Sequence, residues 1–120
     1  EDIHVMLWYT GGTEMNCKKY LAKMADMKGY DPWVVKETKV EGQPVWMLDT
    51  SGDEYGEDAH IIIVAMSYKK DYDDKAPERC RGKSYNDIHI ARIWCPVDKY
   101  KTNKGEMDEI VASLRLTVDD

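Results

Sequence analysis

A chain of 120 residues, 42% of them hydrophobic, has the length and apolar content for one domain with one core, which excludes an intrinsically disordered segment. Its formal charge of −6, with basic residues bunched only as pairs such as Lys18-Lys19 and Lys69-Lys70, argues against DNA, RNA or an anionic lipid surface as the main partner. No apolar run approaches the roughly 18 residues that a membrane-spanning helix requires. The large side chains are unusual: Phe is absent, and 8 Tyr, 7 Met and 4 Trp fill its place.

From the N-terminus, His4 to Thr10 alternates as a strand, with Val5, Leu7 and Tyr9 on one side and Met6, Trp8 and Thr10 on the other. Gly11-Gly12 is expected to end it. Thr13 is positioned to cap a helix running to about Lys28, with Cys17, Tyr20, Leu21 and Met24 on one stripe and Met27 at its edge. Gly29 follows where a left-handed residue terminates helices. After the connector Tyr30-Asp31-Pro32, two strands (33–40 and 44–50) meet at Glu41-Gly42 as a hairpin. Ser51 to Asp58 is predicted to be a polar loop. Ala59 to Tyr68, with three consecutive isoleucines, is predicted to be a central strand buried on both faces.

Lys69 to Asn86 is a long charged connection, with a short helical turn expected around Pro77 to Cys80. Asp87 to Cys95 forms a further strand before Pro96. The chain closes on an amphipathic helix over 103–118. Asn103 is its N-cap candidate and Glu106 stands three residues on, while Met107, Ile110, Val111 and Leu114 form its apolar stripe. Ile110 and Leu114 are expected to be buried, and Glu109 and Arg115 exposed. The result is a single α+β domain over residues 1–120, an antiparallel β-sheet covered by two helices in the order β-α-β-β-β-β-α. A ferredoxin-like βαββαβ arrangement is the alternative, and it would require a crossover helix at 69–86, where no apolar stripe exists.

Two segments resemble the PsbP-like domain family, which includes short bacterial lipoproteins. KVEGQPVWML (Lys39 to Leu48) is similar to that family's hairpin, with Gly before an aromatic-containing strand. DEIVASLRL (Asp108 to Leu116) is similar to its closing helix. The family's opening Pro-Trp turn is absent. The resemblance implies an extracytoplasmic or membrane-tethered interaction domain, carries over no catalytic residue, and leaves any lipid tether outside this segment.

Candidate chemistry is sparse. Asp49 to Asp58 crowds carboxylates as Ca²⁺ would favour, but Gly falls at position 4 where an EF-hand needs it at 6, so a solvated loop is the better reading. His4, His60 and His89 fall on three different strands without metal-site spacing, and no nucleotide or nucleophile motif is present. Neither a cofactor nor a metal site is therefore expected. Three free thiols are the expectation, with Cys17 a small buried one; any disulfide would be the alternative and would join Cys80 to Cys95. The surplus of Tyr and Trp points to an exposed aromatic interaction surface, for which Tyr30, Trp33, Tyr55 and Tyr72 are the candidates. The resulting expectation is a non-enzymatic binding or protein-interaction domain, exported or tethered, with a protein partner. A small-ligand or metal-binding protein using the cleft between sheet and helices is the alternative function, and a cytoplasmic location the alternative compartment.

Overall fold

The computed structural model describes residues 2–13, 15–30, 34–40, 42–54, 56–71, 75, 77, 78 and 84–114. Five strands, β1 (His4–Thr13), β2 (Val34–Val40), β3 (Gln43–Glu54), β4 (Glu57–Asp71) and β5 (Ser84–Pro96), form one antiparallel sheet in the order β1-β5-β4-β3-β2. Helix α1 (Cys17–Lys28) lies between β1 and β2 in the chain, and α2 (Tyr100–Ser113) closes it. This is the expected α+β class and element order, and the strand order β1-β5-β4-β3-β2, with no crossover helix between β4 and β5 among the described residues, sets aside the ferredoxin-like alternative.

The central position of β4 follows from its isoleucine run. Successive side chains alternate between faces, so Ile61 and Ile63 enter one core layer while Ile62 and Val64 enter the other. Helix α1 covers the first layer. Its Cys17, Leu21 and Ala25 pack with Leu48, Ile88 and Ile90. Helix α2 covers the second, where Met107 is buried with Val45, Ile93 and Cys95. The two helices thus sit on opposite faces of the sheet.

Several local expectations are corrected. Helix α1 is capped by Asn16, whose side chain accepts from the Lys19 N–H at 2.8 Å, rather than by Thr13. Gly11 does not end β1, which continues to Thr13 after a register shift past Thr10. The predicted polar loop 51–58 is instead the tip of the β3–β4 hairpin, paired through Glu54 and Glu57, with Gly56 at φ 86° and its N–H donating to Asp53 Oδ1. Alternation along these strands sends the crowded carboxylates to different faces. Asn103 does not cap α2 but lies inside it, because a 3₁₀ turn at Val97–Lys99 starts the helical run directly after Pro96. Leu114 falls just beyond the last turn and is half-buried, as is Ile110, so Met107 is the fully buried anchor of this helix. Arg115, and Arg79 and Cys80 of the turn expected at 77–80, lie outside the described residues.

Candidate functional site

The end of α1 delivers Tyr30 into the sheet. Gly29, at φ 71°, donates its N–H to Asp26 O, and the Tyr30 N–H donates to Ala25 O at 3.1 Å. This pair of bonds is a Schellman closure, which satisfies the last carbonyls of the helix and reverses the chain. Tyr30 is thereby buried to 4% exposure, which corrects its expected place on an exposed aromatic surface. Trp33, Tyr55 and Tyr72, the other candidates for that surface, lie outside the described residues.

The Tyr30 hydroxyl donates to Glu54 Oε1 at 3.0 Å, and Arg92 Nη1 lies 3.3 Å from the same oxygen. Arg92 and Glu54 are both buried, at 6% and 7% exposure. The guanidinium carbon stands 4.8 Å from the Trp94 ring centroid and 5.8 Å from that of Trp8, and Nη2 contacts Met6 Sδ. His4 stacks on Trp94 in turn, at 5.4 Å between centroids. Burial, with the hydrogen bond to anionic Glu54 second, pushes the Tyr30 hydroxyl up to about 12. Arg92 Nε has no hydrogen-bond partner among the described residues. Because Glu54 accepts from two internal donors, this cluster mainly locks β3, β5 and the α1–β2 connection together. Its outer rim, His4, Glu57 and Trp94, opens on a cleft of about 320 Å³.

On the opposite face, His60 Nε2 lies 2.7 Å from Asp49 Oδ1, and its ring stacks on Tyr100 with centroids 3.4 Å apart. His89 lies beside Tyr9, near the middle of β5. The three histidines are therefore dispersed. Among the described residues no group of three or more His, Cys, Asp or Glu side chains is placed to hold a metal ion. Cys17 and Cys95 are free, buried thiols, each pushed up by burial; Cys80 lies outside the described residues.

Helix α2 does not reach across the whole of its face. At the β1 edge Val5, Leu7 and Tyr9 are 47%, 68% and 59% exposed, all on the α2 side. Between them and the end of α2 runs a groove of about 160 Å³ lined by Leu7, Met66, His89 and Leu114. A larger hollow of about 470 Å³ flanks α1 at Tyr20, Met24 and Met27.

Strand β1 has no charged side chain and no proline from His4 to Thr13, and its outer flank pairs with no strand among the described residues. The other edge, β2, carries Lys36, Glu37 and Lys39. The difference was legible in the sequence, but only once the topology identified which strands are edges. No helix among the described residues is long and apolar enough to cross a membrane. No protein-family model matches the chain, and no curated protein matches it.

Proposed function

We propose that this chain is a non-enzymatic binding domain that docks protein segments along the open edge of β1. The observation that carries this reading is the edge itself, which nothing among the described residues covers: a ten-residue strand with three exposed apolar side chains on one face. Natural sheets usually guard such edges with charge, proline or a covering element. Adding a strand satisfies the free backbone groups, while alternate side chains supply selectivity. Export or membrane tethering belongs to the same proposal, as does the resemblance to PsbP-like domains, which rests on residues 39–48 and 108–116. The precursor sequence upstream of Glu1 tests the compartment directly.

The docking edge is tested by titrating isotope-labelled protein with extended heptapeptides that alternate apolar and polar residues. Shifts concentrated in the amides of β1 and in Leu114 support it. Shifts confined to His4, Glu57 and Trp94, seen with small polar ligands and not with peptides, would favour the alternative, a small-ligand protein using the cleft beside Trp94.

A further inference from the structure

We infer that the occupant of the β1 edge is a second copy of this chain, paired through its own β1 about a two-fold axis at Leu7; this rests on reading β1 as a docking edge. The side-chain pattern of the strand is what selects a copy. Antiparallel strands place opposed residues on the same face, so an axis through Leu7 sets Val5 opposite Tyr9 and Met6 opposite Trp8. A β-branched residue facing an aromatic is a favourable cross-strand pair. The same register sets Leu7 against its own copy and closes the three exposed apolar side chains into one continuous strip.

Charge also permits the pairing, although each copy carries −6. Within this register His4 to Thr10 brings no formal charge of its own to either side. The opposite edge cannot pair so neutrally, because β2 presents Lys36, Glu37 and Lys39. The shift in register past Thr10 limits the template to the seven residues before it. One short strand and three apolar side chains per copy bury less than the roughly 1,600 Å² of a standard stable interface. The dimer is accordingly weak, reversible and isologous.

Sedimentation equilibrium from about 1 μM to about 1 mM brackets such a weak association. The expected result is a monomer–dimer equilibrium that Leu7→Lys weakens by roughly tenfold or more, because two lysines would then oppose each other at the axis. Leu7 is exposed, so an unchanged thermal transition checks that this variant folds. In a Cys80→Ser background, Leu7→Cys should oxidise to a covalent dimer, since directly opposed Cα atoms fall within disulfide range. Val5→Cys, which faces Tyr9 in the copy, should not. A monomer at every concentration, or a dimer indifferent to Leu7→Lys, overturns the inference. If β1 amides still respond to peptides in that case, the docking edge stands with a different occupant; if they do not, both readings fall.

Discussion

The Cδ1–Cε1 edge of the Tyr30 ring rests against the backbone of Gly52, where an added Cβ would stand 2.7 Å from Cδ1 and 3.0 Å from Cε1. The ring is held from both ends, by the turn at Gly29 and by the hydroxyl bond to Glu54, and so cannot retreat cheaply. Gly52→Ala should therefore destabilise the domain by about 1–3 kcal/mol, the usual range for overpacking. Loss of the Tyr30–Glu54 bond should be visible as an upfield-shifted or exchange-broadened hydroxyl resonance. A variant with wild-type urea midpoint would mean the ring is free to move.

Arg92 and Glu54 are a buried pair, and removing one partner strands the other. Arg92→Met should cost about 3–5 kcal/mol by leaving Glu54 with only the Tyr30 hydroxyl. The double variant Arg92→Met with Glu54→Gln should recover much of that loss, because no uncompensated charge remains. A double-mutant cycle in urea measures the coupling, and strict additivity would show that the two side chains do not act as a pair.

Alkaline pH should weaken the fold in a way that depends on Tyr30. Its hydroxyl is pushed up to about 12 in the native state, against about 10 in an unfolded chain. The unfolded state therefore releases the proton first, and the native state binds more protons between these values. The contribution is fully present below pH 10 or so and is lost as pH rises through about 12. Cys17, Cys95 and Tyr100 are shifted the same way by burial and add to the slope. Tyr30→Phe should flatten the fall in urea midpoint above about pH 10 without abolishing it. An identical slope in the variant would contradict the shift.

Within α2, Met107 is the anchor. Met107→Ala should cost about 2–5 kcal/mol. Leu114→Ala should cost less, since Leu114 is half-buried beyond the last turn, and exposed Glu109→Ala should stay within about 0.5 kcal/mol. Equilibrium unfolding ranks the three. Equal losses at 107 and 114 would mean that α2 packs along its whole stripe.

Both described cysteines should be silent to a thiol reagent in native conditions. Cys17 and Cys95 are buried and held protonated, and the thiolate is the reactive form. They should titrate only on addition of denaturant. Fast native labelling of either would place it at the surface.

The sequence made some of this architecture legible and hid the rest for physical reasons. The isoleucine run of β4 and the glycine ending α1 are local signals, and both elements lie where local rules put them. Gly52 misled because its composition reads as a turn, whereas its role is to leave room for a ring 22 positions earlier in the chain. Ser51 to Asp58 misled for the same reason: a hairpin tip and a loop share composition, and only pairing across the ladder separates them. The burial of Glu54 was invisible because its partner, Arg92, lies 38 residues away. Asn103 lost the cap position to the 3₁₀ turn after Pro96, a competition that residue preferences alone do not decide. The open edge at β1 needed the strand order, in which the first two strands of the sequence fall at opposite ends of the sheet.

That strand order also sets the sequence of events in folding. Strands β2 to β5 form a meander of neighbours in which the β2–β3 and β3–β4 hairpins close over short spans. β1 must instead find β5 across nearly the whole chain, with His4 meeting Trp94. Loop-closure entropy delays such a contact until the rest of the sheet exists to receive it. A strand that joins late can also open without unravelling the β2–β5 meander, whose own closures are local. A strand docked on the outer flank of β1, as proposed above, would hold this late-joining strand in place and close the fold from outside.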